Sequence, residues 1–344
     1  MQKCSVVDLF CGVGGLTHGF VKEGFHVVAG IDIDKTCKYA YEKNNAAKFI
    51  EKDIENVTAE EILQLYPEKS IKILVGCAPC QPFSKYSKRK TEDDAWKLLH
   101  TFIRLIKEIE PEVISMENVP QLEKHPVFHD FVKVLIDLDY YRSWSSVNCL
   151  DYGVPQRRRR LVLFASKFDS IEIIKKTHPP KRQRHVTDLI KQLEPIAAGE
   201  VSSTDPLHRA SGLSALNMKR VMNTPTGGSW KDWSDDLVLE CHKRKSGKTY
   251  PSIYGRMKWD EPAPTMTTQC HGLGNGRFGH PEQHRAISLR EAALLQTFPS
   301  KYDLVNPDAV FSITTIARHI GNAVPVRLGR IIAKSIRKHL EDNG

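Results

Sequence analysis

The segment Ser5-Val-Val-Asp-Leu-Phe-Cys-Gly-Val-Gly-Gly15 decides the fold class, because it combines a short apolar strand with a glycine-rich turn. A helix is predicted directly after the turn, and strands and helices then alternate over roughly the first 165 residues. Further strands are predicted at Val27 to Ile31, Ile71 to Val75, Val113 to Met116, Ser143 to Val147 and Leu161 to Ala165. Helices are predicted at Leu16 to Glu23, Lys35 to Asn44, Trp96 to Ile109 and Val127 to Leu138. This alternation predicts an α/β fold with a doubly wound, mainly parallel sheet.

The alternating pattern breaks near Thr177-His-Pro-Pro180, and the next hundred residues are rich in Gly, Pro, Trp and His. Residues 178–285 carry 16 Lys and Arg against 11 Asp and Glu. Their net charge of +5 is more than half of the net charge of +9 of the whole chain. Helices are predicted again at Leu289 to Gln296 and Arg327 to Leu340. We therefore predict a first domain over 1–177, a basic second domain over 178–285, and a segment, 286–344, that rejoins the first domain.

The composition is that of an ordinary soluble chain, with 344 residues, 40% apolar and 26% charged. No apolar run reaches the length of a membrane span, and the first residues lack a signal-peptide pattern. Eight widely spread cysteines suggest reduced thiols in a cytosolic or nuclear setting. The basic net charge weakly favours a polyanionic partner.

Cys80 lies shortly after the predicted strand that ends at Val75, within the segment Gly76-Cys-Ala-Pro-Cys-Gln-Pro-Phe-Ser84. Ligands of open α/β folds bind at the carboxyl edge of the sheet, so Cys80 is a candidate nucleophile. The spacing Cys77-x-x-Cys80 also permits a redox pair, half of a zinc site or an inert buried thiol. A polar run follows instead of the helix that a redox pair opens, and no second closely spaced cysteine pair completes a zinc site.

Other residues at predicted strand ends suit ligand binding or acid–base chemistry. The turn with Gly12 and Gly14 lacks the G-x-G-x-x-G spacing of dinucleotide sites, and it is equally compatible with a simple tight turn. Asp32, at the end of the second strand, is placed to accept hydrogen bonds from ribose hydroxyls. Glu117, at the end of another strand, is either a salt-bridged carboxylate or a general acid.

Four consecutive arginines, Arg157–Arg160, precede the strand predicted to start at Leu161. Such a run is usually a solvated face or a phosphate-binding patch. In an extended segment, Arg158 and Arg160 point to one face and Arg157 and Arg159 to the other. The run therefore offers two differently placed pairs of cations.

In this order, the motifs resemble those of the DNA (cytosine-5) methyltransferase family, and they cover the chain except for the basic second domain. The resemblance rests on Asp8-Leu-Phe-x-Gly-x-Gly-Gly15, Asp32, Lys52-Asp-Ile54, Pro79-Cys-Gln81, Glu117-Asn-Val119, Gln156-x-Arg-x-Arg160, Arg290-Glu-x-x-x-Leu-Gln-x-Phe-Pro299 and Gly321-Asn-x-Val-Pro325. It implies that the first domain binds S-adenosyl-L-methionine and that the second is a target-recognition domain.

The resemblance also implies a mechanism. Cys80 attacks carbon 6 of a flipped-out cytosine, which makes carbon 5 nucleophilic enough to accept the methyl group. Glu117 holds or protonates ring nitrogen 3, and Arg160, supported by Arg158, holds the base oxygen and favours the thiolate. No metal is implied, and Cys77 is expected to be a small buried neighbour of the nucleophile without a role of its own. The implied cofactor-binding residues are Phe10, Gly12, Gly14, Asp32, Ile33, Asp53, Ile54, Pro79, Asn322 and Val324.

The implied partner is duplex DNA. The segment Ser84–Lys90 resembles the family's mobile catalytic loop, and His271–Arg277 is interpreted as a recognition loop. Residues expected at the DNA are Gln81, Ser84, Gln156, Gln269 and Arg277. Among them, Arg277 and Gln269 are the candidate base readers, because Arg and Gln read guanine and adenine bidentately.

Two alternatives share the fold: a tRNA cytosine-5 methyltransferase and a catalytically inactive DNA-binding regulator. The regulator is disfavoured because Cys80, Glu117 and Arg160 are all present. An amino-methyltransferase is disfavoured because the chain lacks an Asn/Asp-Pro-Pro-aromatic motif. The compact chain resembles the bacterial restriction-modification type, for which we expect a cytoplasmic monomer with no obligate protein partner and no membrane association.

Overall fold

The computed structural model describes residues 3–79, 92–245 and 247–343. Within these ranges, only the backbone of residues 92–95 is described. The strands are β1 (Cys4–Leu9), β2 (His26–Asp32), β3 (Lys48–Glu51), β4 (Ile71–Gly76), β5 (Val113–Asn118), β6 (Tyr141–Asn148) and β7 (Arg159–Ser166). The α-helices are α1 (Gly15–Lys22), α2 (Lys38–Asn45), α3 (Ala59–Leu63), α4 (Glu92–Ile109), α5 (Pro126–Asp137), α6 (Thr187–Ile190), α7 (Ala215–Met222), α8 (Glu240–Lys243), α9 (Leu289–Leu295), α10 (Ile313–Asn322) and α11 (Val326–Asn343).

The described strands form one sheet in the order β3-β2-β1-β4-β5-β7-β6. Strands β1 to β5 pair in parallel, whereas β7 is antiparallel to both β5 and β6. The chain moves outward from β1 to β3 on one side and resumes at β4 on the other. This reversal opens a crevice at the carboxyl ends of β1 and β4, where α/β sheets bind their ligands. The predicted fold class is confirmed.

Helices cover both faces of the sheet in the first compact unit. On one face, α4 and α5 contribute Phe102 and Phe131, which pack edge to face with ring centroids 5.6 Å apart. Elsewhere in this unit, α1 packs on α11, and a Cβ at Gly19 would lie 2.4 Å from the backbone carbon of Gly329. Only glycine permits the two backbones to approach so closely.

The chain divides into two compact units, with residues 1–152, 159–177 and 324–344 in the first and 153–158 and 178–323 in the second. The break after Thr177 lies where the sequence pattern changes. The chain returns to the first unit only at Val324, later than the predicted 286. The physical reason is that α9 packs on α6 and α10, so residues 286–323 belong to the second unit.

The second unit is built from short helices, isolated bridges and loops in its described part. A buried guanidinium ties several of its loops together. Arg256 is 3% exposed and donates to the carbonyls of Val221 at 2.7 Å, Gln283 at 2.9 Å and His280 at 3.2 Å. The hydrogen bonds from this buried cation satisfy loop carbonyls that would be paired between strands if the segment formed a β-sheet.

Most predicted elements are observed, with ends that differ by a few residues. Six elements were not predicted: β3, α3, α6, α7, α8 and α10. Of these, β3, α3, α6 and α8 are only four or five residues long, and β3 lies at the sheet edge. None of the helices in the described ranges combines the length and apolar character that a membrane span needs.

Candidate active site

A buried carboxyl group stands at the carboxyl end of β5. Glu117 is 2% exposed, and its Oε1 lies 3.0 Å from Nε of Arg160 on the neighbouring strand β7. The contact is an ion pair without hydrogen-bond alignment, and Oε1 accepts no hydrogen bond from the described residues. An unmet acceptor at a buried carboxylate is costly, and such groups mark places where a ligand donor can bind.

The residue after Glu117 anchors the chain beside the predicted nucleophile. Asn118 donates from Nδ2 to the carbonyl of Ala78 at 3.2 Å and accepts from the Val119 amide at 2.8 Å. Pro79 is exposed directly after Ala78. The chain therefore leaves the sheet after β4 at a point fixed by Asn118.

Several predicted residues lie outside the described ranges, namely Cys80, Gln81, Ser84 and the rest of the segment to Lys90. Their roles stay predictions.

Cys77 corrects an expectation drawn from the sequence. It was expected to be a small buried neighbour without a role of its own, but it is only half-buried, and its Sγ lies 2.7 Å from Oε2 of Glu117. The parallel register explains the contact: Gly76 pairs with Met116, so the next residue of each strand emerges side by side at the sheet edge.

The glycine-rich turn and Asp32 meet at the carboxyl ends of β1 and β2. The amides of Gly12 and Asp34 donate to the two carboxylate oxygens of Asp32 at 2.8 and 2.9 Å. Gly12 has a φ of 51°, and a Cβ there would meet no atom within 4 Å, so the turn leaves open space. Burial raises the pKa of Asp32, and the two amide hydrogen bonds partly offset this rise.

Apolar and acidic side chains stand directly after the carboxyl ends of β1, β2 and β3. Ile33 is 67% exposed beside Asp32, and Phe10 is half-buried with a φ of 60° at the end of β1. Asp53 accepts from the Glu55 amide at 3.0 Å, and Ile54 is buried. A carboxylate with free lone pairs next to exposed apolar surface fits an adenosine group, whose ribose donates and whose base stacks.

Three further predicted cofactor residues stand at other places in the fold. Gly14 precedes α1 with a φ of 83°, so the helix begins from a glycine in the left-handed region. Val324 is buried at the return of the chain to the first unit. Asn322 ends α10 in the second unit and is exposed.

A second buried carboxyl group lies beneath the turn and was not singled out from the sequence as a titrating group. Asp8 is 1% exposed and accepts from the Thr17 hydroxyl at 2.6 Å. Burial raises the pKa of Asp8 to about 7, and the charge of Asp32 adds to the rise. The sequence names it only as part of a motif, and its burial in the structure identifies it as a group that titrates near neutrality.

The predicted alternation within Arg157–Arg160 is confirmed, since the second and fourth residues are the more buried and the first and third are exposed. Arg158 is 3% exposed and donates to the carbonyls of Met266 at 3.3 Å and Ala323 at 3.4 Å within the second unit. Arg160 belongs to the first unit with Glu117. Arg158 thus holds backbone carbonyls, whereas Arg160 faces the carboxylate.

Gln156 has no exposed surface through which the predicted DNA contact could be made. Its Nε2 donates to the carbonyl of Leu295 at 2.7 Å and to Oε1 of Gln296 at 2.8 Å. Its Oε1 accepts from the Met266 amide at 2.9 Å. Both ends of the amide serve the interior of the second unit in this structure.

The two predicted base-reading residues differ in their surroundings. Gln269 is exposed. Arg277 is half-buried, and its Nη1 donates to the carbonyls of Gly227 at 2.6 Å, Gly228 at 2.7 Å and Arg256 at 3.0 Å. One end of the Arg277 guanidinium is therefore engaged in holding loops of the second unit.

An open cavity of about 530 Å³ lies in the second unit. Its lining includes three cations, Arg157, Lys258 and Arg277, against one carboxylate, Glu261. Glu261 pairs with Arg157 at 2.6 Å and with Lys258 at 2.8 Å. A mainly cationic cavity with hydroxyl and amide groups suits contacts with a nucleic acid.

Sequence and structure comparisons identify the class of protein. A family model for C-5 cytosine-specific DNA methylase matches residues 4–338. The chain is 55% identical over 340 residues to the type II methylase M.HgiDII of Herpetosiphon aurantiacus, covering 98% of this chain and 96% of that protein. It is 32% identical to the type II methyltransferase M.PspPI of a Psychrobacter strain, covering 98% of this chain and 80% of that protein.

A crystal structure of a proposed DNA modification methyltransferase encoded within an Escherichia coli prophage has the same fold, with a TM-score of 0.74 and 22% identity. The similarity covers 98% of this chain and 99% of that one. The chain belongs to the C-5 cytosine-specific DNA methylase family. It is a DNA cytosine-5 methyltransferase, as the motifs predicted.

Proposed function

We propose that this enzyme methylates carbon 5 of a flipped-out cytosine in a specific duplex site through a covalent bond to Cys80. The observation that carries the proposal is the buried Glu117 carboxylate. Its Oε1 is 3.0 Å from Arg160 and accepts no hydrogen bond within the described ranges. A cytosine ring protonated at nitrogen 3, with its amino group, supplies the donors that such an oxygen lacks.

The proposed roles divide the chemistry among three groups. The Cys80 thiolate adds to carbon 6 and leaves when carbon 5 loses its proton. Glu117 binds at nitrogen 3 and stabilises the charge that develops on the ring. Arg160 holds Glu117 and meets the base oxygen, whereas Arg158 supports the site indirectly through the carbonyls that it binds.

S-adenosyl-L-methionine would be held at the carboxyl ends of β1 and β2, and it supplies an electrophilic methyl group when bound. Asp32 keeps lone pairs for ribose hydroxyls beyond the two amides it accepts. Ile33 and Phe10 offer apolar faces to the adenine, and the open backbone at Gly12 leaves room for the rest of the molecule. Asp53, Ile54, Pro79, Asn322 and Val324 are proposed to complete the site.

The second unit is proposed to recognise the DNA target. Its cationic cavity supports this assignment, with Arg277 at the cavity and Gln269 on the exposed surface as the proposed base readers. The engagement of the Arg277 Nη1 with three carbonyls orients the guanidinium, so that Nη2 and Nε remain its proposed reading atoms. Gln81 and Ser84 are proposed to contact the DNA from the catalytic loop.

The similarity to named type II methylases supports a place in a restriction-modification system. A monomer in the cytoplasm is the form that we propose. Mapping 5-methylcytosine in genomic DNA from cells that express the enzyme tests the substrate and the site together. We expect one short recurring DNA motif to be methylated. Label that appears in tRNA and not in duplex DNA would contradict the proposal and favour the tRNA-methylating branch.

A further inference from the structure

Cys77 stands in the active-site crevice with a fixed backbone and a directed side chain. Its amide donates to the carbonyl of Leu9 at 3.4 Å, which links the end of β4 to the end of β1. Its Sγ is 2.7 Å from Oε2 of Glu117. The thiol is the donor in this contact because an ionised carboxylate can only accept.

The two oxygens of the Glu117 carboxylate have different partners. Oε2 accepts from the Cys77 thiol, whereas Oε1 pairs with Arg160 and accepts no hydrogen bond from the described residues. The carboxyl torsion of a Glu side chain is otherwise soft. A partner on each oxygen therefore fixes the plane of the group, and the buried site leaves little water to replace a lost partner.

We propose that Cys77 is a positioning residue for Glu117: its thiol holds Oε2, so that Oε1 is the oxygen presented to the target cytosine. This inference rests on the proposed role of Glu117 at ring nitrogen 3. Without the thiol, the carboxylate can rotate toward Arg160 with both oxygens, and the acceptor is no longer preorganised for the base.

The substitutions Cys77→Ala and Cys77→Ser separate this role from simple packing. Alanine removes the donor. Serine keeps a donor: because its C–O bond is shorter than the C–S bond of cysteine, its oxygen would lie a few tenths of an ångström farther from Oε2 than the 2.7 Å of Sγ, still within hydrogen-bonding distance. Cys4→Ala, which removes another partly buried cysteine at the amino end of the interior strand β1, is the matched control.

The assay is single-turnover methyl transfer to duplex target DNA with saturating cofactor. We expect Cys77→Ala to lower the rate about tenfold, as for a misplaced catalytic group, with cofactor affinity unchanged. Cys77→Ser and Cys4→Ala should stay within about threefold of wild type. A Cys77→Ala enzyme at the wild-type rate, or a Cys77→Ser enzyme as slow as Cys77→Ala, would overturn the proposal.

A double-mutant cycle with Glu117→Gln tests whether Cys77 acts through the carboxylate. We expect coupling between the two positions in the free energy of unfolding, measured with denaturant, whatever the residual activity. Independent, additive effects would overturn the inference. Full activity of a Glu117→Gln enzyme would instead refute the proposed role of Glu117. If Glu117→Gln is inactive and Cys77→Ala is as fast as wild type, only the role of Cys77 is refuted.

Discussion

Glu291→Gln probes the most deeply buried Arg–Glu pair in the described part of the second unit. The Arg285 guanidinium donates to both oxygens of Glu291 at 2.7 Å, and the two side chains are 0% and 1% exposed. Glu291 also accepts from the Ser288 amide at 2.6 Å. The substitution replaces one carboxylate oxygen by an NH2 group, which faces a donating N–H of Arg285 or Ser288. It also leaves the charge of Arg285 buried without a counterion.

The expected cost follows from this geometry. Removing one partner of a buried ion pair destabilises a protein by about 3–5 kcal/mol, because the remaining charge cannot be resolvated. The whole stability of a domain is about 5–15 kcal/mol. We therefore expect Glu291→Gln to lower the free energy of unfolding of the second unit by about 3–5 kcal/mol, or its melting temperature by about 6–20 °C.

The pH dependence has a defined sign. Burial alone would raise the pKa of Glu291, but the hydrogen bonds and charge of Arg285 outweigh it and lower this pKa. The carboxylate therefore stabilises the fold above the pKa of a glutamate in the unfolded chain, and this stability is lost as the pH falls through the lower folded pKa. The difference between wild type and Glu291→Gln should be constant near neutrality and shrink on acidification.

Denaturant and thermal unfolding measure both effects. Glu261→Gln is the matched control, because it removes a carboxylate from the more exposed pairs with Arg157 and Lys258 in the same unit. An exposed pair contributes about 1 kcal/mol or less. If Glu291→Gln unfolds within 1 kcal/mol of wild type, the buried pair does not stabilise the unit as argued.

Three further predictions concern the first unit. Asp32→Ala should weaken S-adenosyl-L-methionine binding at least tenfold in calorimetry, because the acceptor fixed by Gly12 is lost; unchanged affinity would contradict the cofactor site. Asp8→Asn should stabilise the enzyme relative to wild type increasingly as the pH rises from about 4 to 7, since over this range Asp8 ionises in the unfolded chain but stays protonated in the fold, where its pKa is about 7; a pH-independent difference between the two unfolding free energies would refute this. Cys80→Ala should abolish methyl transfer in a radiolabel assay while cofactor affinity is retained, and a near-normal turnover would remove the nucleophile assignment.

The sequence was sufficient for the parts of the fold that depend on local pattern. The strand and glycine-rich turn that end at Gly15 are encoded within a few residues, and the alternating exposure of Arg157–Arg160 follows from the extended backbone alone. Glu117 was found because its strand ends where ligands bind. These features need no knowledge of distant contacts.

Features that depend on distant partners were missed or misplaced. Gln156 belongs to a binding motif, but its burial depends on Gln296, which lies 140 residues away along the chain. The contact of Cys77 with Glu117 needs the register of two strands. The amphipathic α9 could be predicted as a helix, but its sequence does not say on which unit it packs, which is why the return to the first unit was placed too early.

The covalent bond between Cys80 and cytosine is the central claim, and trapping tests it most directly. Duplex DNA with 5-fluorocytosine at the methylated position is incubated with enzyme and cofactor, since fluorine prevents loss of a proton from carbon 5. We expect an adduct that survives denaturing gel electrophoresis and maps by mass spectrometry to the peptide that contains Cys80. No adduct, or an adduct on another residue such as Cys77, would contradict the account.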